Sequence, residues 1–463
     1  MTSTKTVIVL TALFIATVFS VPVYATYPSP DVAHWDLSIS DEKNDLAYQK
    51  VRELVSQKQF DEALSILNGK IASQPKEATP EILKAMVLNE KGEAKKALEA
   101  LLTGFRKERQ HPALHFAFCQ IHRQLGNGLT SEKACIIAAE QHRKDPLAHY
   151  EYALTLMARG NAKEANKELM ESAKLDPKNS KYPYERGMVF NYLNQHSEAE
   201  ESFKQAFSLD KDNVDAAYQL AYLYTTQKNK EQALTYINHI LDNHRDKPKA
   251  SSAKLLKEYI FKDSTDELPS KVIPGQFHMG RSQSLYQSRQ YGLAIIEAET
   301  AASLSPDDLK IQEILVGIHS MFLRLDKAEK SVERFIESAK DNEKLKSRGY
   351  QEWGDIAVLR GHMKKARDLY EKAMKLSDPN GIAKVSLDEF PEDIESTERQ
   401  PLNPNALFIN PIEAMNRKGE IFANFGMYQR ALGIYSMILR MEPTNLTALL
   451  NTATANYNKE KYN

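Results

Sequence analysis

Two cysteines, two tryptophans, 18 glycines and 19 prolines in 463 residues leave little material for several common architectures. β-Sandwiches, barrels and collagen-like chains need many turn residues, so the scarcity of glycine and proline argues against all three. Two cysteines cannot staple a chain of this length, so stability has to come from a packed core. Charge of one sign is missing as well: 61 lysines and arginines stand against 62 aspartates and glutamates. That balance gives no global field to draw in nucleic acid or an anionic membrane. What the chain does have is 42% hydrophobic and 27% charged residues, enough to fill a core and to exclude wholesale disorder. An all-α protein is the class that remains.

Catalytic signatures are also missing. No HExxH pair, P-loop, GxSxG elbow or CxxC occurs. No nucleophile, base and oxyanion donor group together, so no enzymatic activity and no cofactor are expected.

The N-terminus carries Lys5, then an apolar run over residues 7–19, then Val23, Tyr24 and Ala25 before a polar stretch. This reads as a secretory signal peptide over residues 1–25, cleaved after Ala25 and followed by a lead-in over residues 26–43. The alternative is an uncleaved anchor, although the run is just short of the roughly 20 apolar residues a spanning helix needs. The expected location is periplasmic or secreted, with no membrane insertion after cleavage.

Self-comparison gives a fixed period of 34 residues. Frames begin at Asn44, Ala78, Pro112, Pro146, Ser180 and Val214 without an insertion. Their twentieth residues are Ala63, Ala97, Ser131, Ala165, Ala199 and Ala233, and their eighth residues are Val51, Ala85, Cys119, Ala153, Gly187 and Ala221. Small residues at both offsets let two helices approach closely, so each frame is a helical hairpin. Gly92, Gly126, Gly160 and Asn194, at the fifteenth position, mark the turn between the helices.

The pattern resembles the tetratricopeptide repeat family, most closely over residues 197–213, SEAEESFKQAFSLDKDN. The resemblance implies an α-solenoid, a right-handed superhelix with a concave inner surface. The first array runs over residues 44–262, a linker over 263–274 replaces an expected second helix, and a second array occupies 275–380. An acidic loop follows over 381–411, and residues 412–463 hold one more repeat and an incomplete one, giving ten complete repeats. Leu449, Leu450 and Ala453 make a poor terminal cap, which suggests that the natural chain continues past Asn463.

Three local features invite a functional reading. His115, Cys119 and His122 share one helix face, with Cys135 on the partner helix. They allow a somewhat polar hairpin core, a disulfide between the only two cysteines, or a tetrahedral zinc site. Helical spacing sets Cys119 opposite Ser131 and Cys135 about one turn further on, beyond the roughly 7 Å a disulfide tolerates unless the 126–130 loop shifts the second helix. Second, the fifth positions form an aromatic ladder, Phe116, Tyr150, Tyr184 and Tyr218, with Gln120, Leu154, Met188 and Tyr222 at the ninth. In the resembled fold both offsets point into the concave groove, where they would hold an extended peptide or a sugar chain, unless the tyrosines only pack on the next helix. The lysine and asparagine with which some family members clamp a C-terminal carboxylate are replaced by Tyr48 and Arg52. Third, Asn445-Leu446-Thr447 is a glycosylation sequon, meaningful only in a eukaryotic source.

Signal peptide plus repeats resembles periplasmic assembly factors for pili, secretion machines and outer-membrane complexes. The expected function is therefore a non-enzymatic exported scaffold whose partners are extended segments of other envelope proteins. A second expectation is a polysaccharide-export component guiding polymer to an outer-membrane channel, with a barrel beyond the present C-terminus.

Overall fold

A computed structural model describes residues 45–262, 271–287, 289–377, 381–391 and 410–462. The signal peptide, the lead-in, most of the linker and residues 392–409 of the acidic loop lie outside them. The described residues form 23 helices and no strand. None of these helices is long and apolar enough to cross a membrane.

Twelve helices build the six uninterrupted frames. They are α1 (Leu46–Ser56), α2 (Phe60–Ser73), α3 (Thr79–Glu90), α4 (Ala94–Lys107), α5 (Leu114–Gln124), α6 (Gly128–Gln141), α7 (Pro146–Ala158), α8 (Ala162–Leu175), α9 (Lys181–Tyr192), α10 (His196–Leu209), α11 (Val214–Thr226) and α12 (Lys230–Asn243). The single helix α13 (Pro248–Phe261) ends this run. The hairpin α14 (Pro274–Gln287) and α15 (Tyr291–Leu304) comes next. Then come α16 (Leu309–Met321), α17 (Leu325–Ser338), α18 (Glu343–Leu359), α19 (Met363–Leu376), α20 (Ile382–Asp388), α21 (Pro411–Asn424), α22 (Tyr428–Met441) and α23 (Leu446–Tyr462). The architecture is an all-α solenoid of helical hairpins.

The frame dictates this regularity through two contacts. At the fifteenth position every hairpin turns through a left-handed residue: Lys58, Gly92, Gly126, Gly160, Asn194, Lys228, Arg289, Leu323, Gly361 and Gly426 all have φ between 53° and 87°. Ten such turns mark ten hairpins among the described residues. The second contact joins position eight to position twenty-four. A Cβ on Gly187 would stand 2.5 Å from the Phe203 ring, one on Gly354 2.5 Å from Tyr370, and one on Gly419 2.3 Å from Tyr435. A missing side chain on one helix thus seats an aromatic ring from the other, and all three rings are buried. Asp45, Asp145, Asn213, Asp308, Asn342 and Asn410 cap first helices by accepting backbone N–H bonds.

The described residues divide into two compact units between Thr300 and Ala301. This boundary differs from the one at residues 263–274. The hairpin α14–α15 packs on the first array rather than opening the second, because Phe277, Gly292 and Thr300 all meet residues of that array. Within the second unit the acidic stretch is not wholly a loop, because α20 forms at its start. Ala383 and Phe390 are buried in the core of that unit. The Glu389 carboxylate accepts from the backbone N–H of Gln429 at 2.7 and 2.8 Å, closing the first turn of α22.

Candidate ligand-binding face of the first array

The fifth and ninth positions do fall on the first helix of each frame. They do not form an exposed strip. Phe116, Tyr150, Tyr184, Met188, Tyr218 and Tyr222 are all buried, Tyr150 and Tyr218 least so at 9% exposure, while Gln120 and Leu154 are half-buried. The physical reason is packing along the stack. The Tyr150 ring lies 5.5 Å from Tyr182 of the next frame, and the Tyr184 ring lies 5.8 Å from Phe203 of its own. Burial pushes both hydroxyls well above the usual tyrosine range. A ligand in the groove would therefore meet the edges of the ladder rather than its faces.

Polar rungs cross between successive first helices beside the ladder. Arg123 pairs with the Glu151 carboxylate and donates to the Glu151 carbonyl at 3.1 Å, while Gln120 donates to the same carboxylate at 3.1 Å. Further along, Lys249 on α13 is buried with its ammonium 4.8 Å from the Tyr218 ring centre and 3.8 Å from Asp215. Burial pushes that ammonium below its usual range, against the pull of Asp215.

Two carboxyls near this face have their ionised forms disfavoured by burial. Burial pushes Glu90 up to about 7, with Glu151 adding and Arg123 opposing. Burial pushes Glu185 up to about 8, with Asp215 adding and Lys181 opposing. A carboxyl whose folded value exceeds its ordinary 4.5 binds more proton folded than unfolded between those two values. Stability contributed at this position therefore falls as pH rises from 4.5 through about 8 and levels off above. Glu185→Gln should flatten the stability profile over that window and leave the variant about 2–4 kcal/mol more stable than wild type at pH 8. Urea melts of the two proteins at pH 5, 6.5 and 8 check this, and parallel profiles would count against a buried neutral Glu185.

The cysteine cluster resolves into a disulfide between Cys119 and Cys135, with Cα atoms 4.9 Å apart. The larger separation expected from helical spacing is thus corrected. Cys119 and Cys135 occupy positions eight and twenty-four, the pair that meets as glycine and aromatic ring in other frames. Ser131 adjoins Cys119 too, donating its hydroxyl to the Cys119 carbonyl at 2.8 Å. The two histidines are occupied elsewhere: His115 Nδ1 lies 3.1 Å from Gln141 Oε1, and the His122 ring stacks on Phe118. Among the described residues no group of three or more His, Cys, Asp or Glu side chains is placed to hold a metal ion. The sequon offers no free amide, because the Asn445 side chain caps α23 through Ala448 N–H at 3.0 Å and donates to Glu442 at 3.0 Å.

Sequence reasoning missed the hairpin α14–α15 as part of this face. It lies along the thirteenth residues of three successive frames. Gly292 abuts the Gln124 carbonyl, where a Cβ would stand only 1.8 Å from the oxygen. The Thr300 hydroxyl donates to the Ala158 carbonyl at 2.7 Å. Phe277 and His278 pack on the Tyr192 ring at 5.0 and 5.2 Å. The signal that could have been read is Gly292 itself, a glycine just inside a helix start with no turn to justify it.

Residues 193–255 match a tetratricopeptide repeat family. No curated protein matches the chain. Among solved structures the chain is similar to YrrB, described as a TPR protein with an unusual peptide-binding site, at 18% identity over 41% of this chain and 97% of that one, with a TM-score of 0.35. It is similar to pilF of Pseudomonas aeruginosa at 12% identity over 46% of this chain and 98% of that one, TM-score 0.40. A tetratricopeptide repeat protein from Parabacteroides merdae ATCC 43184 shares 19% identity over 51% of this chain and 97% of its own, TM-score 0.35.

Proposed function

We propose that this tetratricopeptide repeat protein is an exported, non-enzymatic scaffold that holds extended segments of other cell-envelope proteins. The repeat fold itself is one suited to protein–protein interaction. The observation that carries the finer reading is the buried cystine inside the third hairpin. Structural disulfides persist in oxidising compartments, and Cys119 and Cys135 are the only cysteines of the chain. The apolar N-terminal run ending at Val23-Tyr24-Ala25 supports the same reading.

Export predicts a mature chain starting at Thr26 in the periplasmic fraction, with no thiol available to alkylation until reductant is added. Reduction should then lower stability by about 3 kcal/mol, the value for a closed loop of about 15 residues. Edman sequencing, thiol labelling and urea melts with and without dithiothreitol test the three statements together. Met1 retained in a membrane fraction, or two reactive thiols in freshly isolated protein, would overturn the export reading. Crosslinking in intact cells followed by mass spectrometry tests the scaffold reading, and capture of glycan alone would favour polysaccharide as the cargo.

A further inference from the structure

Beside the tyrosine ladder one polar rung between successive first helices is complete, and the rungs on either side of it are not. The complete rung joins position twelve of one frame to position six of the next. The Arg123 guanidinium on α5 pairs with the Glu151 carboxylate on α7, donates to the Glu151 carbonyl at 3.1 Å and reaches the Thr155 hydroxyl at 3.4 Å. Gln120 donates to the same carboxylate at 3.1 Å. The period sets Asn89 on α3 against Ala117 on α5, and Met157 on α7 against Glu185 on α9. Neither an alanine nor a methionine side chain can donate a hydrogen bond.

The two half-rungs leave acceptors without donors. Asn89 is 3% exposed, and its side-chain oxygen accepts no hydrogen bond. Glu185 is 4% exposed, the same as Glu151. Asp215 and Lys181 act on it through their charge alone, and no described residue donates to its carboxyl. Glu90, next to Asn89 on α3, is half-buried and stands in the same condition, with Glu151 and Arg123 acting on it only by charge. Burial disfavours the ionised form of both carboxyls. The donors of the complete rung, Arg123 and Gln120, are committed to Glu151 and its neighbour Thr155.

What this face lacks is donors, and the charged side chains that only donate are arginine and lysine. The complete rung shows which of the two fits: a planar guanidinium serves a carboxylate, a carbonyl and a hydroxyl together, using a fork that an ammonium does not have. We propose that the first-helix face between α3 and α9 is a recognition site for an extended partner segment carrying arginine, with Glu90 and Glu185 as the residues that select the guanidinium. This rests on the scaffold reading and names the chemistry of the segment held. A bound guanidinium does for Glu185 what Arg123 does for Glu151.

The probe is an array of short extended peptides with two arginines at varied spacing, beside the same array with citrulline in their place, each incubated with the full mature chain. Citrulline keeps the shape of arginine and removes its charge, so retention of the arginine set should exceed that of the citrulline set about tenfold. Glu90→Gln and Glu185→Gln should each cut that preference about threefold, and the double variant should abolish it. Glu198→Gln, at an exposed position of α10, should leave it unchanged. Equal retention of the two sets by wild type, retention of neither, or a preference that survives the double variant overturns the proposal. An equal loss in Glu198→Gln overturns it too, since attraction would then follow total charge. Should the double variant fail to fold, photo-crosslinking of a benzophenone-labelled arginine peptide to wild type decides. Labels on α3, α5, α7 or α9 are expected, and labels confined to other helices overturn the proposal. A chain that fails these tests yet captures envelope proteins in intact cells loses this site and keeps the scaffold reading. One that prefers arginine but captures no protein in cells does the reverse.

Discussion

Replacing Asp355 with alanine is expected to destabilise the second unit by about 3–5 kcal/mol, the cost of removing one partner from a buried charge group. Asp355 is 2% exposed and accepts from the Tyr370 hydroxyl at 2.8 Å and from Arg430 at 2.6 and 2.5 Å, with Lys418 3.3 Å away. Burial works against its ionised form, but Arg430 and Lys418 outweigh that and hold the carboxyl below its usual range. Without it, two largely covered cations are left near each other, and the neighbouring Glu352, which burial holds toward its neutral form, is the remaining carboxyl beside them. The contrast is Glu352→Gln, which replaces a carboxyl already disfavoured as an anion and should cost little. For a unit of this size a loss of that order lowers the melting temperature by about 10 °C. Hydrogen exchange locates it: amides of α16–α22 should lose protection while α1–α12 keep theirs, since repeat stability is carried between nearest neighbours. Equal losses in both units, or an Asp355→Ala protein that melts like wild type, would contradict the assignment.

That network also shows where sequence reasoning stops. The hairpins are legible because position eight, position fifteen and position twenty are local choices, each fixed by sterics within 34 residues. Gly187 needs only to be seen sixteen residues before Phe203. Asp355 and Arg430 are 75 residues apart, across an insertion that the period cannot bridge, so no pattern announces their meeting. The same holds for Asn194 and Val272, 78 residues apart. The cysteines fail for a different reason. Their offset is legible, but facing helices in a hairpin do not meet rung by rung, and the residue opposite position eight is shared between positions twenty and twenty-four. Once Gly187, Gly354 and Gly419 are seen to seat residues sixteen further on, Cys119 and Cys135 fall into the same relation. The ladder misleads because periodicity reports that Tyr150, Tyr184 and Tyr218 share a side of the stack. It cannot report how deeply each ring sinks between neighbouring helices.

Tyr184 is where packing and recognition can be separated. Its ring is 5% exposed and rests on Phe203, which in turn fills the space left by the absent side chain of Gly187. Its hydroxyl hydrogen-bonds Gln219 of the next frame, itself buried. Tyr184→Ala therefore removes a support from the centre of the fifth hairpin and leaves Gln219 without that partner. The expected loss is about 3–5 kcal/mol, as for other buried aromatic residues cut to alanine. Tyr184→Phe keeps the ring and removes only the hydroxyl, for an expected loss of about 1–2 kcal/mol. If the ladder is packing alone, capture of crosslinked partners at low temperature survives in both variants, and their melting temperatures fall in the order wild type, phenylalanine, alanine. If the hydroxyl edge touches ligand, Tyr184→Phe loses capture while melting nearly as wild type does. Burial and the Gln219 bond favour the first outcome, since a hydroxyl already committed to the next frame has little to offer a ligand. Differential scanning fluorimetry and crosslinked pull-down on the same samples decide between them.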